Sequence, residues 1–275
     1  MTAVARLLGL RFARLGVAET AAWIAARPAG ASFGYVVTPN ADHLVRVDRD
    51  PSLRPIYEHA VLCLMDSRVV SRLAWLLGLP APPVVTDSDV TEALMTAHLH
   101  PDERVTIVGL RAEDVAALRA RIGIAPPNHH EPPMGFDRDP AAMRAAVEFV
   151  LAHPARLVFL AVGSPRQEKL AAALAATGRA RGTGLCIGAS LAFLAGTQRR
   201  APRWVRAAGL EWLFRLAGDP VRLWRRYLRD CPVILWLLAR DRWLMRTSRS
   251  AVLAKRPEDQ GFGHVPFQAA TPDHR

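Results

Sequence analysis

Short apolar runs recur through the first two thirds of the chain, each too brief for a helix and each followed by polar residues. Tyr35–Val37, Val61–Met65, Val105–Val108 and Leu157–Val162 are of this kind, and Leu185–Ile187 is a weaker fifth. Helical stretches intervene, such as Asp114–Arg121 and Pro140–Ala152. Runs that are apolar throughout, rather than alternating, suit strands buried on both faces, and strands separated by helices pair in parallel. The pattern predicts an α/β fold, a mainly parallel sheet with helices on both faces. Ligands in such folds sit beyond the carboxyl ends of the strands, so the loops after these runs are where chemistry is to be sought.

The last part reads differently. Asp219-Pro220 carries the signature of a helix N-cap followed by proline at the first helical position. The helix it predicts places Arg222, Arg225, Arg226 and Arg229 at spacings of three and four on one broad face, with Leu223, Trp224, Tyr227 and Leu228 as apolar surface. Pro232 is expected to end or kink that helix before a second apolar stretch. Charge follows the same boundary. The net charge is +11, and residues 199–249 hold 13 arginines against four acids, together with five of the seven tryptophans. The composition shifts near Gly196 to Pro202. It divides the chain into a core at 1–198, a basic helical appendage at 199–250 and a polar tail at 251–275 that is expected to be disordered.

Such a basic region implies acidic partners: nucleic acid, anionic lipid or a phosphate-bearing substrate. No run approaches the about 18 apolar residues of a membrane-spanning helix, Val233–Ala239 being the nearest candidate. The N-terminal apolar stretch is interrupted by basic residues and has no signal-peptide cleavage pattern. Cys63, Cys186 and Cys231 are too scattered for a disulfide framework or a structural zinc site. These features predict a cytoplasmic protein, bound peripherally to the inner face of the membrane.

Three strand-end loops carry candidate chemistry. In Thr38-Pro39-Asn40-Ala41-Asp42-His43, Thr38 and Asn40 offer a hydroxyl and an amide to a sugar or a base, although the same residues suit a plain turn and helix cap. Asp66 ends the second run; an acid there serves either as a general base for an attacking hydroxyl or as a helix cap. Gly163-Ser164-Pro165-Arg166-Gln167-Glu168-Lys169 is the most specific segment. Its glycine permits close backbone approach to a ligand, amides at the following helix start favour an anion, and Gln167 adds a side-chain amide. A plain strand-to-helix turn is the alternative. No Walker A sequence occurs, and Gly182–Gly188 misses the dinucleotide spacing. His129-His130-Glu131 lies in a proline-rich loop without a clear third metal ligand.

Taken in order, these segments resemble a known family. TPNADHL at 38–44, the strand-end Asp66, GSPRQEK at 163–169, IGASLAFLAG at 187–196 and RRAPRWVRAAGLEWLFRLAGDPVRLWRRYL at 199–228 are similar to the WecG/TagA/CpsF glycosyltransferases (glycosyltransferase family 26). PPMGF at 132–136 fits a loop of the same family, and the likeness runs over about residues 8–245. The resemblance implies a Rossmann-like core with a C-terminal membrane-targeting appendage. It also implies inverting transfer, without a required metal or other cofactor, from a UDP-sugar to an undecaprenyl-diphosphate-linked saccharide in surface-polysaccharide synthesis. At the matching positions Asp66 would be the catalytic base. Thr38, Asn40 and Gln167 would line the substrate pocket, with Gly163, Pro165 and Glu168 of the same segment. Arg222, Arg225 and Arg226 would close over the diphosphate.

The expected partners are the sugar donor, the polyprenyl-diphosphate-linked acceptor and an anionic membrane, with self-association left open by the apolar residues of the appendage. N-acetylmannosamine, its uronic acid and glucose are all compatible donors. The chain departs from the family pattern at Ser67, where glycine is usual, and at Ala192, where aspartate is common. Pro83–Asp89 also lacks the arginine and glycine of an Arg-x-x-Gly-Ser-Asp segment. These departures bear on donor identity more than on reaction class. Two rivals are a non-catalytic phosphate- or nucleic-acid-binding protein, which leaves the strand-end loops without a purpose, and a nucleotide-dependent oxidoreductase, which lacks its fingerprint. Nucleic acid is not an expected partner.

Overall fold

A six-stranded parallel sheet organises the chain. The structure, a computed structural model, describes residues 3–218, 221 and 232–247. β1 (Val4–Leu7) and β2 (Leu10–Ala13) form an antiparallel hairpin. β3 (Gly34–Val37), β4 (Leu62–Cys63), β5 (Thr106–Gly109), β6 (Asn128–His130), β7 (Leu157–Ala161) and β8 (Thr183–Cys186) make the main sheet in the order β4-β3-β8-β7-β5-β6. Each neighbouring pair in it is parallel.

Alternate residues along each strand face opposite layers, as the two-residue period of a strand requires. Tyr35, Val37, Cys63, Val108, Val158, Leu160 and Cys186 pack with Leu44 and Val47 of the Ala41–Arg49 helix, Val150 of Pro140–Ala152, and Leu170 and Leu174 of Arg166–Ala176. Val36, Leu62, Ile107, Leu157, Phe159 and Leu185 turn the other way. They meet Ile24 of Val17–Ala25, Val90 of Asp87–Ala93, Leu118 of Ala112–Ile122 and Leu191 of Ser190–Ala195. The fold is therefore the α/β arrangement expected from the apolar runs, and it is Rossmann-like, as the family resemblance implies.

The five anticipated runs each contribute a strand, with shifts at their ends. The second run pairs only over Leu62–Cys63; its Met65 instead bridges Val84 in parallel. The fifth begins two residues earlier than its apolar character suggests, at Thr183, because Thr183 and Gly184 already pair with Gly34 and Tyr35 of β3. Two features were not anticipated. His129 and His130, read as loop, form part of edge strand β6 beside β5. The N-terminal hairpin turns at Leu8-Gly9, both with positive φ (52° and 77°). A left-handed leucine is strained, and the usual Asn-Gly or Asp-Gly signal is missing. Long-range contacts hold it: Leu8 N donates to Asp241 Oδ2 at 2.9 Å, and Arg54 Nη1 donates to the Leu8 carbonyl at 3.3 Å.

Asp241 belongs to a helix whose described residues are 232–247, beginning with Pro232. This helix buries Ile234, Leu237 and Leu238 in the same cluster as Leu7, Leu10, Leu44 and Val47. Arg240 pairs with Asp48 at 2.8 Å, and Arg242 Nη1 donates to the Gly78 carbonyl at 3.2 Å. The Asp219-Pro220 cap, the arginines Arg222, Arg225, Arg226 and Arg229, and the tail at 251–275 lie outside the described residues.

Candidate active site

The carboxyl ends of the six strands bring together the loops that carry polar chemistry. Asp66 follows β4 and is half-buried. Its backbone N–H donates to the Pro39 carbonyl at 3.1 Å, which sets it against the Thr38–Asn40 turn after β3. The capping role falls to its neighbour: Ser67 Oγ accepts from Val70 N at 3.2 Å and starts the Arg68–Leu76 helix. Ser67 has extended backbone (φ −153°), so no glycine is needed there for conformational reasons.

Thr38 is half-buried beside Pro39. Asn40 caps the Ala41–Arg49 helix, its Oδ1 accepting from Asp42 N at 3.0 Å and His43 N at 3.4 Å. The side-chain oxygen therefore faces the helix, and the amide nitrogen is the end left for other partners. From the same helix His43 points across to the start of the Arg166–Ala176 helix, its Nε2 3.5 Å from Glu168 Oε1. Glu168 Oε1 also accepts from Gln167 Nε2 at 3.0 Å, and Gln167 Oε1 accepts from Gly188 N, after β8, at 2.9 Å.

The Gly163–Lys169 segment differs from its sequence reading in one respect. The start of the Arg166–Ala176 helix is not an open cradle for an anion, because Gln167 N donates to the Gly163 carbonyl at 3.0 Å and the buried Glu168 carboxylate already occupies the first turn. Gly163 has φ +74°, which a side chain would strain. Pro165 is half-buried at the N-cap position. Ser164 Oγ accepts from Arg46 Nη1 at 2.8 Å, and Arg46 also pairs with Asp42. Tyr57 completes this cluster: burial pushes its phenol well above the ordinary value, and the Glu168 charge adds to the effect. Burial alone would raise the Glu168 carboxyl, but hydrogen bonds and charge from His43, with Gln167 and its own backbone N–H, outweigh it and hold the group below its usual value.

Two further contacts complete a circuit of loops. Val85 N donates to the Met65 carbonyl at 2.9 Å, placing the Val84–Asp89 segment beside β4. Ser88 Oγ and Ser190 Oγ lie 3.1 Å apart, tying that segment to the end of β8. On the rim, Arg166 Nη1 lies 2.8 Å from Met134 Sδ of the PPMGF loop, which Phe136 anchors in the core.

The C-terminal region approaches from the β4 side. Arg200 Nη2 and Arg206 Nη1 both donate to Asp89 Oδ1, at 2.8 and 3.0 Å, and Arg72 Nη1 donates to the Ala208 carbonyl at 2.9 Å. Among the described residues no group of three or more His, Cys, Asp or Glu could hold a metal ion.

Sequence reasoning did not single out His43, Gly188, Ser190 or Asp89. His43 had one available signal: it stands three residues after Asn40, where a capping box usually has Glu or Gln. Arg222, Arg225 and Arg226 lie outside the described residues. The model described as the glycosyl transferase WecG/TagA/CpsF family matches residues 5–248 of the chain, which takes in every loop of the circuit.

Proposed function

The chain belongs to the WecG/TagA/CpsF glycosyltransferase family, and from that premise we propose that it moves a sugar from a UDP-sugar, with inversion, onto an undecaprenyl-diphosphate-linked saccharide. One observation carries the reading: a half-buried carboxylate, Asp66, follows β4 and lies against the Thr38–Asn40 turn, while its neighbour Ser67 supplies the helix cap. In this mechanism Asp66 accepts the proton of the acceptor hydroxyl as its oxygen attacks the anomeric carbon. The bond from that carbon to the β-phosphate oxygen breaks on the opposite side, and UDP departs with the electron pair. Arg222, Arg225 and Arg226 stabilise the departing diphosphate through charge-assisted hydrogen bonds.

Binding comes before turnover in the test. Thermal shift with UDP, NAD and a short DNA duplex is expected to respond to UDP alone. Tight, steeply salt-dependent DNA binding with no response to UDP would favour the basic-protein alternative. A panel of UDP-sugars, including the N-acetylmannosamine, its uronic acid and glucose forms, is then offered with undecaprenyl-diphosphate-linked monosaccharides. Transfer from none of them would remove the reading.

The acceptor's lipid calls for an interfacial surface, and exposed apolar side chains among the described residues support this reading. Trp204 and Trp243 are 71% and 63% exposed, and Trp75 and Leu76, at the end of the Arg68–Leu76 helix, are 70% and 69% exposed. Arg242 joins the 232–247 helix to Gly78 just beyond them. Tryptophan and arginine together suit an anionic headgroup layer. Among the described residues no helix is long and apolar enough to cross a membrane. Replacing Trp75 and Leu76 together by serine is expected to weaken binding to anionic vesicles roughly tenfold, each side chain losing a fraction of its apolar burial. Sedimentation with vesicles measures it; unchanged binding would exclude this patch from the membrane contact.

A further inference from the structure

The geometry points to His43 and Glu168 as a buried positioning pair that, braced by Gln167, fixes the side chain of Asn40 toward the substrate, without either member touching it. This inference rests on the transferase reading of the site.

A single unbroken line of contacts runs across three strand-end loops. At one end the Gly188 N–H can only donate, so Gln167 must offer Oε1 to it at 2.9 Å. That turns Gln167 Nε2 toward Glu168 Oε1 at 3.0 Å. At the other end the N–H groups of Asp42 and His43 can only donate, which assigns the Asn40 oxygen to them. His43 spans the gap. Its Nε2 faces the carboxylate at 3.5 Å and must carry a hydrogen, since an ionised carboxylate only accepts. Its Nδ1 lies 2.8 Å from Asn40 Oδ1 and 3.2 Å from Asn40 N, so Asn40 offers it a partner whether it donates or accepts.

Burial sets the inner part of this line apart from its outer end: Gln167 is 4% exposed and lies as deep as the pair, while Asn40 is half-buried. The Glu168 side chain is 3% exposed and that of His43 12%. Glu168 Oε2 is inaccessible and has no hydrogen-bond partner among the described residues. A buried carboxylate with one unpartnered oxygen is costly. It is retained here as the one acceptor that orients a glutamine and a histidine from different loops. The outer end of the line is Asn40, whose amide nitrogen is the donor the substrate meets, while buried Gln167 braces the line against Gly188.

Two measurements on the full chain test the pair. The first needs no substrate: long-range ¹H–¹⁵N spectra of the histidine rings. Gln167 Nε2 and His43 Nε2 both face Glu168 Oε1, so in Glu168→Gln the carboxamide oxygen takes that place and the ring hydrogen stays on Nε2. The expected result, in wild type and in Glu168→Gln alike, is an Nε2 that carries its hydrogen; a hydrogen-free Nε2 in either overturns the pair. The second is kinetic. His43→Ala is expected to lower kcat about 100-fold with a smaller change in donor KM, the scale of a misplaced contact. Glu168→Gln, which keeps an oxygen acceptor at the Oε1 position for both donors, is expected to stay within about tenfold of wild type. The double variant should be no worse than His43→Ala alone, because both act through one contact. Full turnover in a folded His43→Ala protein, or additive losses, overturns the proposal. Should His43→Ala not fold, Glu168→Gln and its spectrum still decide. Absence of transfer by the wild type would remove the functional reading alone, since the spectra judge the pair independently.

Discussion

Asp66→Asn is expected to lower turnover by roughly 10²–10⁴-fold, the span of a lost general base, while UDP affinity changes by less than about threefold. Asparagine keeps the size of the side chain and cannot take a proton. The backbone bond from residue 66 to the Pro39 carbonyl and the Ser67 cap on Val70 N are untouched by the change, so the loop keeps its place. The loss should therefore lie in kcat, with donor binding preserved. Steady-state transfer with a lipid-linked acceptor and calorimetry with UDP separate the two quantities. Turnover equal to wild type would strip Asp66 of its role, and a parallel loss of UDP binding would make it a ligand contact instead.

The sheet was legible because its strands are buried on both sides. Val36, Val37, Val108, Val158 and Phe159 lie at 2% exposure or less, and a run with no polar face stands out in a sequence. β6 and the first hairpin were not legible for the opposite reason. β6 is an edge strand built from Asn128, His129 and His130, whose side chains are half-buried, and nothing apolar announces it. The Leu8-Gly9 turn carries none of the residues that favour its backbone and depends on Asp241, 233 positions away.

The candidate site divides along the same line. Asp66 and Gln167 were visible as polar residues at the ends of apolar runs. Their partners were not, because no local spacing relates residue 43 to residue 168 or Asp89 to Arg200 and Arg206. Asn40 shows how one residue supports two readings: its oxygen caps a helix, as a plain turn would have it, while its nitrogen stays available to a ligand. The exposed helix-start amides inferred from Gly163–Lys169 failed because the segment supplies its own anion. Glu168 is buried in the first turn, where the sequence suggested that a phosphate would sit.

Asp89→Ala is expected to destabilise the folded protein by about 3 kcal/mol at neutral pH, because it strips one shared acceptor from two largely buried guanidinium groups. Arg200 and Arg206 are 14% and 20% exposed, and the Nε of each already lacks a partner among the described residues. Burial alone would raise the Asp89 carboxyl; the Thr86 hydroxyl, Arg200 and Arg206 reverse this and hold it below its ordinary value. A depressed folded value means that the contribution is fully present above the unfolded pKa, about 4, and fades as pH falls through the folded one. The gap between wild type and Asp89→Ala should accordingly be constant from neutral pH to about 5 and narrow in stronger acid. Urea unfolding across that range measures it, and a midpoint unaffected by the substitution would show that the clamp carries no stability. Adding Arg206→Met to Asp89→Ala should recover part of the loss, since it removes a stranded cation and retains an apolar stem. The clamp joins the Val84–Asp89 segment of the site to the chain that leads into Arg222, Arg225 and Arg226. Asp89→Ala is therefore also expected to raise the donor KM under conditions where the variant is fully folded. A variant that loses stability but binds donor normally would separate the fixing of this segment from closure over the diphosphate.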